Sequence, residues 1–303
     1  MNSNLICPIS GEITRAKIPL YNWNGSDVCN KLLIVSEQGL GDNIQYYRFI
    51  IELSEKYKDM KITFFCKKEI FHIFKTYENI EIVDQLQSIE YDYMSYIMSL
   101  PNILKLTQIT PNKINYIKTH SEKISLWKKR TSSLKKFRVG FVYNGRLSSF
   151  IEKYIELEKY KLLSELDIEL ICIHRKSEII GDLKKISFKD KIIYYELDTD
   201  KPFDDTIHLL KNIDLLITID TYIVHLAGIM NINTWLLLGV SEWRWSNDKH
   251  KTYWYDSVEL IRSKDNEPLD TVLPIVRDKL IKYIETQTQI ETQIETQTQI
   301  EIL

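Results

Sequence analysis

The chain has 303 residues, of which 44% are hydrophobic and 27% are charged, a composition typical of a globular protein with a substantial core. Its 40 basic and 42 acidic side chains give a net charge of −2, so no overall field attracts nucleic acid or an anionic membrane. No apolar run reaches the roughly 18 residues of a membrane span, and the amino terminus lacks a signal-peptide pattern. The four cysteines have no paired spacing, which predicts free thiols in a cytoplasmic protein.

The first part of the chain alternates predicted strands and helices. Strands are predicted over 31–36, 62–66 and 80–83, and helices over 42–57 and 68–76. A core strand followed by a loop over 91–100 and a polar helix over 118–136 complete this part. Because βαβ order gives parallel strands joined by right-handed crossovers, we predict a Rossmann-like domain over residues 1–136.

The second part repeats this alternation. Strands are predicted over 137–143, 168–173, 192–195, 215–219, 234–238 and 258–261, and helices over 157–166, 203–212, 222–230 and 268–284. Residues 137–284 therefore form a second predicted Rossmann-like domain. The remaining 285–303 are a near-repeat of Ile, Glu, Thr and Gln, predicted to be a low-complexity tail that is either disordered or a frayed helical extension.

The change from strand 215–219 to helix 222–230 is a candidate ligand site. Asp220 and Thr221, two good N-cap residue types, lie between them. A helix that begins at the carboxyl end of a parallel strand presents unpaired N–H groups and a partial positive charge to the crevice above the sheet. The segment predicts a phosphate or diphosphate site, unless Asp220 and Thr221 only cap the helix.

A glycine turn from Gln38 to Asp42 follows the first strand. Its two glycines, one residue apart, permit a sharp turn and a close approach to a ligand. Ile44 occupies the third glycine position of a dinucleotide fingerprint, and no acidic residue ends the second strand, so a dehydrogenase is disfavoured. Asp42 is either the N-cap of the next helix or a general base at the crevice.

Further segments extend this pattern along roughly residues 19–280. They are Trp23–Gly25, Leu32–Val35, Glu37–Arg48, Val139–Gly145, Ile217–Thr221, His225–Gly228, Trp235–Leu238, Glu242–Trp245, Trp254–Tyr255 and Arg262. Together they resemble heptosyltransferase-like glycosyltransferases, most closely the form often fused to tetratricopeptide repeats, although the chain contains no such repeats. The resemblance implies a GT-B fold, in which two Rossmann-like domains with parallel sheets face each other across a cleft.

The resemblance also implies an activity and site residues. The activity is metal-independent, inverting transfer of a sugar from a nucleotide-diphosphate sugar to a hydroxyl of a glycan or protein acceptor, with no cofactor. On the acceptor side it places the general base at Asp42. We predict substrate contacts at Gly39, Gly41, Asn43, Gln45, Tyr143, Asn144, His174, Arg175, Asp220, Thr221, His225, Trp243 and Arg244. The helix start at Thr221 would stabilise the leaving diphosphate.

Several side chains have a second interpretation. His225 either contacts the ligand or only hydrogen-bonds a loop, and His174 and Arg175 either contact the nucleotide or lie in an exposed loop. Trp243 and Trp245 either wall the cleft, with the Arg244 guanidinium near phosphate, or pack against the sheet edge. Asp198-Thr199-Asp200 has metal-binding D-x-D spacing, but short acidic doublets are common in loops, and we favour no metal.

One segment departs from the family pattern. A polar segment with His, Asn and Arg-Ser is usual after the Asn144-Gly145 turn, whereas this chain has residues 146–154, in which Arg146 or Lys153 could supply a cation. The alternatives to a transferase are therefore a non-catalytic sugar-nucleotide or glycan binding protein and a GT-B-type sugar-nucleotide epimerase.

Overall fold

The computed structural model describes residues 22–86, 90–145, 154–239, 243–245, 248, 250–264 and 267–302. Two parallel β-sheets organise them. The first sheet has the order β3-β2-β1-β4, with β1 Lys31–Val35, β2 Lys61–Phe65, β3 Ile80–Val83 and β4 Tyr93–Tyr96. All of its strand pairs are parallel. Segment 91–100 therefore supplies a strand of this sheet, as its apolar character predicts.

The second sheet has six parallel strands in the order β10-β9-β8-β5-β6-β7. They are β5 Phe137–Val142, β6 Ile168–Cys172, β7 Ile192–Tyr194, β8 Leu215–Ile219, β9 Thr234–Leu238 and β10 Val258–Arg262. Every residue of β8 and β9 is buried, as is typical of strands covered on both faces. The strands of both halves are thus confirmed to within a residue or two of their predicted ends.

Eight helices cover or flank the sheets within these ranges. They are α1 Leu40–Lys56, α2 Leu100–Ile103, α3 Ser121–Arg130, α4 Lys161–Ser164, α5 Lys176–Leu183, α6 Asp204–Leu210, α7 Tyr222–Ile229 and α8 Leu273–Ile302. In α1 the predicted apolar positions Ile44, Tyr47, Ile50 and Ile51 are all buried. Each such aliphatic side chain contributes roughly 1.5–3 kcal/mol of burial, and the Tyr47 ring packs on Phe64 of β2 with centroids 5.7 Å apart.

Two predicted helices differ from the structure. Only one 3₁₀ turn, Phe71–Ile73, lies within 68–76, so the helix predicted there is wrong. The Phe74 ring stacks on Tyr47 with centroids 4.3 Å apart, and its backbone pairs with Ile117, which holds this end of the segment extended. The helix predicted over 157–166 is a 3₁₀ turn, Leu157–Tyr160, followed by the short α4.

The low-complexity repeat is helical. Helix α8 continues through it to Ile302, in agreement with the helical alternative. Among the α8 side chains whose burial the structure describes, the last fully buried one is Leu280, whereas Ile290 is 43% exposed. No helix of the described ranges is long and apolar enough to cross a membrane. The described cysteines, Cys29, Cys66 and Cys172, are free and buried, as predicted.

The two sheets are joined by helix packing and by aromatic side chains. Helix α1 packs on α7, and α3 packs on α6. Trp254, which follows β9, packs on Tyr46 and Phe49 of α1, and its carbonyl accepts the Asn112 N–H at 2.8 Å. Because α3 contacts a helix of the second sheet, packing does not by itself place the domain boundary at residue 136, and that boundary stays a prediction.

Candidate functional site

The strand orders define where a ligand can bind. In each sheet the chain first builds outward from one strand and then crosses to its other side, at β1 and β4 in the first sheet and at β5 and β8 in the second. Open parallel sheets bind ligands beyond the carboxyl ends of the strands at such a switch point. Helices α1 and α7 begin just after β1 and β8, and their contact brings the two switch points together.

The glycine turn before α1 is held in a strained conformation. Gln38 has φ 59°, a left-handed backbone that costs a non-glycine residue roughly 1–2 kcal/mol. The Asn43 side-chain amide stabilises the turn by donating to the carbonyls of Glu37 and Gly39 at 3.0 and 2.8 Å. Strain that the surroundings maintain in this way is common at functional sites.

Asp42 lies three positions after the N-cap of α1, at its third helical residue. Helix α1 begins at Leu40 with Gly39 as its N-cap, so the N-cap interpretation of Asp42 is wrong. The Asp42 Oδ2 atom nevertheless accepts the Gly39 N–H at 2.8 Å. This bond satisfies one of the free donors of the helix start and fixes the carboxylate at the carboxyl edge of the first sheet.

Gly41 permits the close approach of α1 to α7. A Cβ added to Gly41 would lie 3.1 Å from His225 Cδ2 and 3.4 Å from the Tyr222 Cα. Gly41 therefore has a packing role in addition to the predicted ligand contact. One helical turn further along α1, the Gln45 side chain is 1% exposed, and neither of its amide atoms has a hydrogen-bond partner among the residues that the structure describes.

Thr221 caps α7, as its position predicts. Its Oγ1 atom accepts the Ile223 N–H at 3.3 Å. Asp220 is buried at the end of β8, with 8% exposure. The start of α7 therefore keeps the geometry that favours an anion, with its first N–H groups at the crevice edge.

An ion pair joins the two halves at this point. The Arg244 Nη2 atom lies 2.5 Å from Asp42 Oδ1, although the residues are 202 positions apart. The 3₁₀ turn Trp243–Trp245 carries Arg244, whose carbonyl accepts the Trp254 indole N–H at 2.7 Å. The side chains of Arg244 and Asp42 are largely shielded from solvent, with 15% and 12% exposure. The predicted base on the acceptor side thus meets the predicted phosphate ligand on the donor side.

His225 lies inside the joint between the halves. It is 1% exposed, its ring stacks on Trp245 at 5.4 Å, and its Nδ1 atom is 3.0 Å from the Tyr255 hydroxyl. This position favours the loop-bonding interpretation of His225. Trp245 is fully buried, in agreement with packing rather than with a cleft wall, whereas the Trp243 side chain lies outside the described residues.

Tyr143, Asn144 and His174 form one network at the end of β5 and β6. The Tyr143 hydroxyl donates to Asp182 Oδ2 at 2.9 Å, and His174 Nε2 is 3.0 Å from the Asn144 carbonyl. Since a carbonyl only accepts, Nε2 carries the proton and Nδ1 accepts the Cys172 thiol at 3.5 Å. Burial lowers the pKa of His174, which favours this neutral imidazole. The network connects the ends of β5 and β6 to Asp182 of α5.

A small cavity lies at the carboxyl ends of β6 and β8. Arg175, Phe203, Thr206 and Tyr222 are among its lining residues, and its volume of about 10 Å³ holds roughly one water molecule. Phe203 has φ 73° and packs edge-on against Tyr222 at 4.6 Å. A strained aromatic residue thus closes the cavity beside the start of α7.

The D-x-D segment has a structural role. Asp198 Oδ1 accepts the Asp200 N–H at 2.8 Å, and its other oxygen lies 3.7 Å from Lys123 Nζ. The same ammonium contacts Asp204 and Asp205 at 3.5 and 2.8 Å, so one lysine of α3 pairs with all three carboxylates of this cluster. Within the described ranges, no group of three or more His, Cys, Asp or Glu side chains is arranged to hold a metal.

Glu37 lies two residues after the end of β1. It is a site candidate that the sequence did not single out. Burial raises the pKa of its carboxyl group against the opposing effect of the Met98 N–H, and the nearby Asp42 raises it further. The available signal was its place at the carboxyl end of the strand. Of the segment 146–154, which departs from the family pattern, residues 146–153 lie outside the described residues, and they include Arg146 and Lys153.

No protein-family model matches the chain. Among curated proteins, FlbA of Caulobacter vibrioides is 20% identical over an alignment of 285 residues that covers 83% of the chain and 46% of FlbA. The chain thus spans about half the length of this relative.

Solved structures share the architecture. The E. coli ADP-heptose LPS heptosyltransferase II has a TM-score of 0.60 at 11% identity, covering 85% of the chain and 99% of that protein. A family 9 glycosyl transferase from Veillonella parvula has a TM-score of 0.60 at 13% identity, covering 86% and 98%. The iron-containing dodecameric glycosyltransferase TibC of enterotoxigenic E. coli has a TM-score of 0.51 at 12% identity, covering 78% and 65%. The fold is therefore the GT-B fold of heptosyltransferases, as predicted.

Proposed function

We propose that the protein is an inverting glycosyltransferase that moves a sugar from a nucleotide-diphosphate sugar to an acceptor hydroxyl without a catalytic metal. The observation that supports this most directly is the meeting of Asp42, Arg244 and the start of α7 at the facing switch points of a GT-B fold. A carboxylate on one side and cationic groups on the other are the two requirements of such a transfer.

In the proposed reaction, Asp42 accepts the proton of the acceptor hydroxyl as its oxygen attacks the anomeric carbon of the donor. The bond from that carbon to the diphosphate oxygen breaks. The configuration at the anomeric carbon is inverted because attack and departure occur on opposite faces of the sugar. The Arg244 guanidinium and the N–H groups at the start of α7 stabilise the charge that develops on the leaving diphosphate. These groups provide the positive potential that a metal supplies in other enzymes.

The donor we propose is a nucleotide-diphosphate sugar of the ADP-heptose class, since ADP-heptose is named for the heptosyltransferase II structure. The proposed acceptor is a hydroxyl of a glycan or a protein. TibC, described as iron-containing, makes metal independence a separate point that needs its own test.

A non-catalytic sugar-nucleotide binding protein is the second candidate. One observation favours it: the Asp42 carboxylate, the proposed base, is engaged by Arg244. Under this alternative the fold binds a nucleotide diphosphate without transferring the sugar.

One assay separates these functions. The protein is incubated with a panel of sugar nucleotides, with and without EDTA, and release of nucleoside diphosphate is followed together with the identity of the donor sugar. A metal-independent transferase releases nucleoside diphosphate equally in both arms, through transfer or slow hydrolysis. Binding without release indicates the binding protein, and conversion of the donor sugar with the diphosphate bond intact indicates an epimerase.

A further inference from the structure

Both carboxylate oxygens of Asp42 are already engaged. Oδ2 accepts the Gly39 N–H at 2.8 Å, and Oδ1 pairs with Arg244 at 2.5 Å. A general base must direct an oxygen at the acceptor hydroxyl. The pair with Arg244 therefore occupies the oxygen that the proposed reaction needs.

Hydrogen bonding and packing hold the main chain at Arg244 in place. The contact with Asp42 is made by the Arg244 side chain and not by its main chain. Trp254 donates to the Arg244 carbonyl at 2.7 Å, and the adjacent Trp245 is buried in a stack on His225. A rotation of the side chain about this fixed main chain moves the guanidinium away from Asp42. Such a rotation leaves the joint between the halves intact.

The start of α7 lies beside this ion pair. Gly41, the neighbour of Asp42, approaches Tyr222 so closely that an added Cβ would be 3.4 Å from the Tyr222 Cα. A diphosphate at the first N–H groups of α7 would therefore lie near both Asp42 and Arg244. A diphosphate carries more negative charge than a carboxylate and binds a guanidinium through two parallel hydrogen bonds, so it competes with Asp42 for Arg244.

We propose that Arg244 is a positioning residue that makes Asp42 available only when the donor is bound: the donor diphosphate takes the Arg244 guanidinium, and the released Asp42 oxygen then accepts the proton of the acceptor hydroxyl. This inference rests on the proposed function. Donor binding changes no covalent bond and only exchanges one ion pair for another. In the transfer step that follows, the proton ends on Asp42 as in the reaction above. The arrangement imposes an order in which the donor binds before the base is active.

Competition for Arg244 predicts that removal of the Asp42 charge strengthens, rather than weakens, the binding of a nucleoside diphosphate. Asp42→Asn keeps an oxygen for the Gly39 N–H but removes the charge that holds Arg244. Its affinity for a nucleoside diphosphate should rise about fivefold, because the ligand no longer displaces a partly buried ion pair, and about 1 kcal/mol corresponds to that factor. If Asp42 only acts in the chemical step, the affinity stays unchanged.

Isothermal titration with ADP, GDP, UDP and CDP tests this in wild type, Asp42→Asn, Arg244→Gln and the double variant. Arg244→Gln should weaken binding at least tenfold. Asp42→Asn should tighten binding about fivefold in the wild-type background and leave it unchanged in the Arg244→Gln background. Glu52→Gln is the matched control, because it removes a carboxylate of α1 that pairs with Arg48 instead, and its affinity should equal that of wild type.

Three results would overturn the inference. Unchanged or weaker binding by Asp42→Asn excludes competition, and equal tightening in both backgrounds shows plain charge repulsion without Arg244. Absence of binding by every variant, with each shown to be folded by circular dichroism, overturns the proposed function itself and the inference with it.

Discussion

Gly228 is the position in α7 where an added methyl group meets the most resistance. A Cβ at Gly228 would lie 2.3, 2.6 and 2.7 Å from three carbons of the Tyr255 ring. That ring is 2% exposed, and its hydroxyl lies 3.0 Å from His225 Nδ1. It cannot turn aside into solvent, so Gly228→Ala must shift α7 or the loop that carries Tyr255.

The expected loss of stability combines two opposing terms. Overpacking a core costs about 1–3 kcal/mol, and replacing a helical glycine by alanine returns up to about 1 kcal/mol. We therefore expect Gly228→Ala to lose about 1–2 kcal/mol, or roughly 2–6 °C in unfolding midpoint. Thermal unfolding followed by far-UV circular dichroism measures this change.

Gly181 provides the matched control. It lies in α5, and an added Cβ would meet no atom within 4 Å. Gly181→Ala should therefore gain about 0.5–1 kcal/mol from helix propensity alone. A Gly228→Ala variant as stable as wild type, or a shift of the same sign in both variants, would refute the contact between α7 and Tyr255.

Three further substitutions or truncations test other parts of the structure. Thr221→Ala should lose about 1 kcal/mol in urea unfolding through loss of the α7 cap, whereas Thr221→Ser should retain it; equal losses would contradict the capping bond. Burial lowers the pKa of His174, so the folded state favours the neutral ring, and its contribution is complete above pH about 6.5 and is lost as the pH falls below that value. His174→Gln should therefore show a smaller fall in unfolding midpoint between pH 7.5 and pH 5 than wild type, and identical falls would exclude this group. A chain that ends at Gln289 should unfold within about 1 °C of the full chain, since none of the described α8 side chains beyond Leu280 is fully buried; a loss of several degrees would show that the repeat packs on the fold.

The strands and their positions along the chain were the most predictable features, for a physical reason. Short apolar runs such as Leu215–Ile219 are buried on both faces, so local composition and tertiary environment agree. The predicted helix over 68–76 failed because aromatic packing of Phe74 on Tyr47, a contact distant in sequence, overrides local preference. Helix α5, residues Lys176–Leu183, was not predicted, and its one inward stripe of Ile179 and Leu183 explains why its signal was weak.

In the candidate site, the local sequence predicts the cap of α7 but not the contacts between distant residues. Thr221 has the capping bond that its position predicts. The ion pair of Asp42 with Arg244 spans 202 residues, and no local pattern encodes such a contact. The strained Gln38 and the close approach at Gly41 likewise depend on the packing of α1 on α7, which only the folded chain defines.

The most direct test of the proposed catalysis compares wild type with Asp42→Asn at saturating donor in the same release assay. Wild type should release nucleoside diphosphate from at least one sugar nucleotide, and Asp42→Asn should lose at least a hundredfold in rate, the usual scale of general-base catalysis, while it still binds the donor. Equal rates in the two proteins would remove Asp42 from the proposed role. Binding by both proteins with no release from any donor would replace the transferase by the sugar-nucleotide binding protein.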